Sequence, residues 1–186
     1  RLILEVAPAV ARAGMESGVA RRPIADFGAY RATLSTLVFR SGQVMRPVFA
    51  AARANPRRVA YGEGEDTRVL RAAQTAVDEG IAHPLLVGRR QKILTRIAEL
   101  GLRLVPGKSC EILDPADDPT RFHALATAYA ALVARRGVPP DSARQRLFTR
   151  PSVAAAMLLK DGTADAAIIG CTGAWMTHFG HARDII

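Results

Sequence analysis

Apolar and polar positions follow two different periods along the chain, and the change falls near residue 55. Ahead of it the pattern is helical only. Pro8 suits the first turn of a helix that runs to about Ser17-Gly18, where Gly18 supplies the stop. Arg22-Pro23 breaks the chain. Asp26 then stands where its carboxylate can accept from the free N–H groups of a second helix. Tyr30, Leu34, Leu37 and Val38 recur on that helix as one apolar stripe. Ser41-Gly42 interrupts the stripe, Pro47 limits its continuation, and Asn55-Pro56 marks a turn.

Beyond residue 55 short apolar runs alternate with helical stripes. Four runs read as strands: Arg58–Tyr61, Pro84–Gly88, Glu111–Asp114 and Asp165–Gly170. Between them lie helical faces: Val69, Ala73, Ala76 and Val77, stopped by Gly80; Ile93, Ile97 and Leu100, stopped by Gly101; and Phe122 through Val133, closed by Gly137. A short helix starts at Pro139-Pro140-Asp141, and Pro151 opens another in which Val153, Met157 and Leu158 can face a core. Strands alternating with helices predict an α/β fold: a helical N-terminal extension followed by a doubly wound, mostly parallel sheet. The division is at 1–54 and 55–186. Ligands of such sheets bind beyond the carboxyl ends of the strands, so the loops after Tyr61 and after Ile169 are the ones to watch.

Composition narrows the function. About half of the residues are apolar, which argues against a disordered chain. No apolar run approaches the ~20 residues that span a bilayer, and no charged-then-apolar leader opens the chain, so a cytoplasmic location is the default. Cys110 and Cys171 are far apart, without CxxC or metal-ligand spacing, and read as small buried thiols. The net charge is +9, but residues 1–60 hold ten Arg against three acids, and the remainder is nearly balanced. The basic residues stand singly or in pairs with few interleaved aromatics, which argues against nucleic-acid recognition and for a solvated or subunit-facing surface. The opening without Met and the terminal Ile185-Ile186 give the sequence the look of an internal piece of a longer protein.

Two loops carry candidate chemistry. Gly62-Glu63-Gly64-Glu65-Asp66 resembles a phosphate loop only superficially, because its three acids would repel a phosphate; Asp66 reads better as a helix cap, with Arg68 free to pair with one of the acids. The second loop is Gly170-Cys171-Thr172-Gly173. Gly170 and Gly173 allow a ligand close to the backbone, Thr172 and His178 offer hydrogen bonds, and Arg150 stands at the start of a helix with a charge suited to phosphate. His181 and Arg183 follow close behind. Neither a zinc pattern nor a Ser-His-Asp or Cys-His nucleophile is evident.

The run Arg58-Val59-Ala60-Tyr61-Gly62-Glu63-Gly64-Glu65-Asp66-Thr67-Arg68-Val69-Leu70 resembles the start of a phosphotransacetylase domain, in which a strand leads into an EGxDxRxLxAA stretch. Residues 79–88, Arg150-Pro151 through Met157, and Gly162 with Ala164-Asp165-Ala166 extend the likeness over roughly 56–186. Ahead of it, Val6-Ala7-Pro8-Ala9-Val10-Ala11, Met15-Glu16-Ser17-Gly18-Val19-Ala20 and Met45-Arg46-Pro47-Val48-Phe49 resemble the end of the large bacterial NADP-dependent malic enzymes and the linker that follows it. Cys171, Trp175 and Phe179 depart from the family's Gly-Thr-Val-Gly-like stretch. The resemblance implies a parent that oxidatively decarboxylates malate to pyruvate with NADP or NAD and a divalent metal, Mg or Mn, all bound outside this chain. It implies a homo-oligomer in which this segment serves regulation and assembly, with acetyl-CoA as effector. Arg150, Gly170, Thr172, Gly173 and His178 are the candidate ligand contacts; no catalytic residue is carried over. The alternatives are an acyltransferase of the phosphate acetyltransferase type and a basic nucleic-acid-binding module.

Overall fold

The computed structural model describes the backbone of residues 2–38 and 40–186 and the side chains of 2–35 and 45–186. Two compact units divide between Ala51 and Ala52, a few residues before the period of the sequence changes.

The first unit is helical: α1 (Leu2–Glu16), α2 (Phe27–Val38) and most of α3 (Arg40–Ala54). Pro8 lies inside α1 rather than in its first turn. Its ring forfeits one backbone hydrogen bond, yet the Leu, Ala, Glu and Arg residues on either side favour helix strongly enough to carry the segment through. Gly18, in the left-handed region at φ 74°, ends α1, and its N–H donates to Met15 O at 3.1 Å. Asp26 caps α2 as its position foretells: Oδ1 accepts from the N–H groups of Gly28 (2.7 Å) and Ala29 (3.1 Å). The Glu5–Arg31 ion pair and the Arg12 guanidinium, 4.9 Å over the Phe27 ring, link α1 to α2. Tyr30 and Leu34 of the expected stripe are half-buried; the side chains of Leu37 and Val38 lie outside the described residues. Ser41-Gly42 and Pro47 do not stop the third segment, because α3 runs through all three. A proline removes one donor from a helix without obliging the chain to leave it.

The second unit is a four-stranded parallel sheet in the order β3-β2-β1-β4, with β1 Arg57–Tyr61, β2 Ala82–Val87, β3 Glu111–Leu113 and β4 Ala166–Ile168. The chain enters at β1, steps outward through α4 (Thr67–Asp78), β2 and α5 (Arg90–Glu99) to β3, then returns through α6 (Pro119–Val133), α7 (Pro140–Thr149) and α8 (Pro151–Lys160) to β4 on the other side of β1. The strand order reverses between β1 and β4, and that reversal opens a crevice at their carboxyl ends. Side chains alternate across the sheet with period two. Tyr61, Leu86 and Ile112 pack with Val69, Leu70, Ala73, Ile93 and Ile97 of α4 and α5. Ala60 and Leu85 point the other way, against Ala155 of α8. Pro84, paired with Val59, sits just ahead of Leu85, where β3 begins to pair, so its missing N–H falls outside the two-sided part of β2.

Three features differ from the sequence pattern. Ser152 through Leu158 are all buried, rather than one face of α8, because that helix touches the sheet on one side and α6, α7 and α9 on others; its three consecutive alanines permit the close approach. Strand β4 is shorter than 165–170. Asp165 accepts instead from the Arg58 N–H (2.9 Å) and guanidinium, and Gly170 turns away at φ 94°. A ninth helix among the described residues, α9 (Trp175–Ile185), follows where no helical stripe marks one.

Candidate functional site

The crevice at the switch point is built by the two loops after β1 and β4, with the start of α8 beside them. Gly62 N–H donates to Ile168 O at 3.0 Å, extending the β1–β4 ladder by one bond. Glu63 then turns back: its side chain, only 10% exposed, accepts from Gly170 N–H at 2.9 Å. Gly64 passes so close to β2 that a Cβ there would lie 2.8 Å from Val87 O. Asp66 caps α4, accepting from Arg68 N–H at 2.8 Å, and the Arg68 guanidinium beside it holds its carboxyl well below the usual range. The same guanidinium donates to Cys171 O at 3.1 Å. Side chains of one loop and helix thus hold the backbone of the other.

From the far side, α9 contributes His178 and His181, one turn apart with ring centroids 6.5 Å from each other. His178 Nε2 lies 2.7 Å from Thr172 O; a carbonyl only accepts, so Nε2 carries the proton. The other nitrogen, Nδ1, is buried without a hydrogen-bond partner and faces Glu63 Oε1 at 3.9 Å. His181 Nδ1 pairs with Ser152 Oγ at 2.7 Å, and Ser152 is 1% exposed in the first turn of α8. Burial, then His178, Arg150 and Arg146, push the His181 pKa below its ordinary value.

A cleft of about 780 Å³ opens above these loops, of a size suited to a small molecule. Its apolar wall includes Val87, Leu147, Phe148, Pro151 and Ala154. Its polar wall holds Glu63, Glu65, Asp66, Asp114, Arg89 and Thr172. The carboxylates are occupied. Glu65 is bonded to Arg89 (2.8 Å) and Lys92 (2.7 Å), which lower its pKa to about 2. Asp114 accepts from the N–H groups of Arg90 (2.7 Å) and Ala116 (2.9 Å).

Of the residues singled out in the sequence, Thr172 lines the cleft. Gly170 and Gly173, both in the left-handed region, shape the loop around His178. Arg150 is exposed; its carbonyl accepts from Val153 and Ala154 N–H to start α8, and its guanidinium forms no ion pair among the described residues. His178 and His181 belong to a helix and face inward, not to a loop rim, because α9 turns its large apolar residues Trp175, Met176 and Phe179 outward. Ser152 and Asp114 were not legible as site residues, since they act on a partner distant in sequence or on backbone N–H groups; Glu63 stood in a loop marked from the sequence, but its partner Gly170 was not legible.

The glycine loop after β1 does not fit a dinucleotide. Gly64 serves its approach to Val87, and Glu63 and Glu65 occupy the space where a pyrophosphate would need donors. Among the described residues no three His, Cys, Asp or Glu side chains converge to hold a metal. Cys171 and His178 are not a thiolate–imidazole pair: His178 bonds a carbonyl, and desolvation with Asp66 pushes the Cys171 thiol up, toward its protonated form.

A parallel sheet with a switch-point cleft defines a class, and the sequence pattern of phosphate acetyl/butaryl transferases matches residues 43–186: the chain belongs to that family. The fold agrees, since a phosphotransacetylase from Streptococcus pyogenes superposes with a TM-score of 0.63 at 24% identity, over 76% of this chain and 43% of that one. Along its whole length the chain is also similar to bacterial malic enzymes. It is 50% identical to the NAD-dependent malic enzyme of Rhizobium meliloti and 43% identical to the NADP-dependent malic enzyme of Escherichia coli. The chain spans 24% of the length of each of these curated relatives.

Proposed function

We propose that this chain is the regulatory segment of a malic enzyme: residues 1–54 close the malic domain, and 55–186 begin a phosphotransacetylase-like domain that binds acetyl-CoA as an effector. The observation that carries the reading is the coexistence of whole-length likeness to malic enzymes with family membership over 43–186. The parent would decarboxylate malate to pyruvate with NADP or NAD and Mg or Mn, held by residues outside this chain, and would work as a cytoplasmic homo-oligomer.

Within this reading the division of polarity in the cleft orients the ligand. The floor offers a phosphate no free donor, because its carboxylates and their Arg and N–H partners are already bonded to each other. The amide-bearing arm of acetyl-CoA suits the apolar wall of Leu147, Phe148 and Pro151. The phosphates suit the edge where Arg146 and Arg150 carry no carboxylate partner among the described residues. Thr172 supplies a hydroxyl at the cleft, and Gly170, Gly173 and His178 keep the loop that carries it in shape.

Calorimetric titration of acetyl-CoA into the chain tests this. Binding is expected, and Arg150→Ala and His178→Ala each weaken it by roughly tenfold, the size of one lost charged or buried contact. Unchanged affinity in the double variant would move the site elsewhere. The acyltransferase reading is favoured by the family match and is separated by a direct assay. On the regulatory reading, acetyl phosphate and CoA mixed with the chain should yield no acetyl-CoA; turnover would favour the acyltransferase instead.

A further inference from the structure

We infer that a phosphorylated ligand at the α7–α8 edge of the cleft draws a proton onto His181, so that binding and protonation are linked. The inference rests on the acetyl-CoA reading above and adds a regulatory consequence to it.

The geometry supplies three parts. First, His181 is a half-buried imidazole whose Nδ1 is committed to Ser152 Oγ at 2.7 Å, itself buried in the first turn of α8. Second, the charged and titratable groups that act on it are all cationic or able to become so: His178 from its own helix, Arg150 at the α7–α8 junction and Arg146 from α7. Glu63 of the β1–α4 loop faces His178 instead, at 3.9 Å from Nδ1, and Asp184 of α9 is paired with Arg136. Third, Arg146 and Arg150 have no carboxylate partner among the described residues, and they flank Leu147, Phe148, Thr149 and Pro151, which line the cleft.

In the free protein burial, then His178 and the two guanidiniums, push His181 toward its neutral form. A phosphate that reaches Arg146 and Arg150 cancels their repulsion and adds an anion of its own. Both effects favour the imidazolium, so the ring takes a proton from solvent as the ligand binds. His181 Nδ1 must then donate to Ser152 Oγ, which a hydroxyl accepts by rotating its own proton away. By linkage, the affinity is highest below the free-protein value of His181. It weakens by up to about tenfold per pH unit until the pH exceeds the raised value in the complex.

The test is isothermal titration of acetyl-CoA into the 186-residue chain at fixed pH, in buffers of different ionisation enthalpy. The slope of heat against buffer enthalpy counts protons. Uptake approaching one proton per ligand is expected in the wild type, and affinity should fall as pH rises. His181→Gln, which can still bond Ser152, should bind without uptake and with nearly flat pH dependence. His178→Gln should retain uptake; circular dichroism verifies that both variants are folded. Binding without uptake in the wild type would overturn the inference. So would uptake that survives in His181→Gln or vanishes only in His178→Gln. Absence of binding in every buffer would remove the acetyl-CoA reading itself, and this inference with it.

Discussion

At Gly64 two backbones meet with no room for a side chain. A Cβ there would lie 2.8 Å from Val87 O, 3.0 Å from Val87 N and 3.1 Å from Leu86 C. All three are main-chain atoms of a buried strand, so none can swing aside. The Gly64 N–H also donates to Val87 O at 3.1 Å, so the loop cannot retreat without stretching that bond. Gly64→Ala therefore combines overpacking, worth about 1–3 kcal/mol, with partial loss of a buried hydrogen bond, worth about 1 kcal/mol. A total near 3 kcal/mol corresponds to roughly 10 °C in melting temperature for a unit of this size. The backbone at Gly64 is not left-handed, so the whole effect is contact. Gly180→Ala is the control: it lies in α9 with nothing within 4 Å of its Cβ, and helix propensity predicts a gain of up to about 1 kcal/mol. Thermal melts followed by circular dichroism compare the two. If Gly64→Ala melted within about 2 °C of wild type, or moved in the same direction as Gly180→Ala, the close packing of loop on strand would be refuted.

Two further outcomes follow from the charges. Glu65 has its pKa depressed from 4.5 to about 2 by Arg89 and Lys92, so the folded state is favoured above the ordinary carboxylate value and loses that advantage as pH falls through this interval; Glu65→Gln should flatten the fall of the urea midpoint over the same range, and an unchanged slope would contradict the pairing. Duplex DNA should bind weakly if at all and be released by about 200 mM salt, as expected of scattered arginines; a fluorescence-anisotropy titration showing sequence preference at that salt would reverse the assignment.

The sheet was readable because its punctuation is local. Gly80, Gly101 and Gly137 stop their helices in the left-handed region, and the apolar runs at β1, β2 and β3 lie within a residue or two of the observed strands. The rule that ligands gather at strand carboxyl ends then pointed to the loops after Tyr61 and Ile169, which do meet across β1 and β4. What was not readable is long-range. Helix α9 hides because its exposed side bears Trp175, Met176 and Phe179 while its inner side bears histidines, the reverse of the usual stripe. Glu63 looks like one of three interchangeable acids until Gly170, 107 residues away, donates to it. The prolines at 8 and 47 misled for a different reason: a missing donor weakens a helix without setting where it ends.

Net charge misleads in the same way, and the correction bears on the ligand. Residues 61–186 are nearly neutral by count, which suggests little affinity for a phosphate. But the count does not say which charges are spent. Arg68 is taken by Asp66, Arg89 and Lys92 by Glu65, Arg90 by Asp117, Arg103 by Asp78, and Arg136 by Asp184. Most of these pairs are surface pairs of small individual worth, yet each cancels a local field. Among the described residues Arg146 and Arg150, like Arg71 and Arg144, are left out of the pairing, and they flank residues that line a cleft whose own carboxylates are already bonded. On the proposed reading an anion approaching the second unit meets an uneven field, with bonded acids on the cleft floor and guanidiniums on the residues that flank its wall. That asymmetry is a property of the fold, since it depends on which side chains α7 and α8 carry to the carboxyl end of the sheet, and no sum over the sequence contains it.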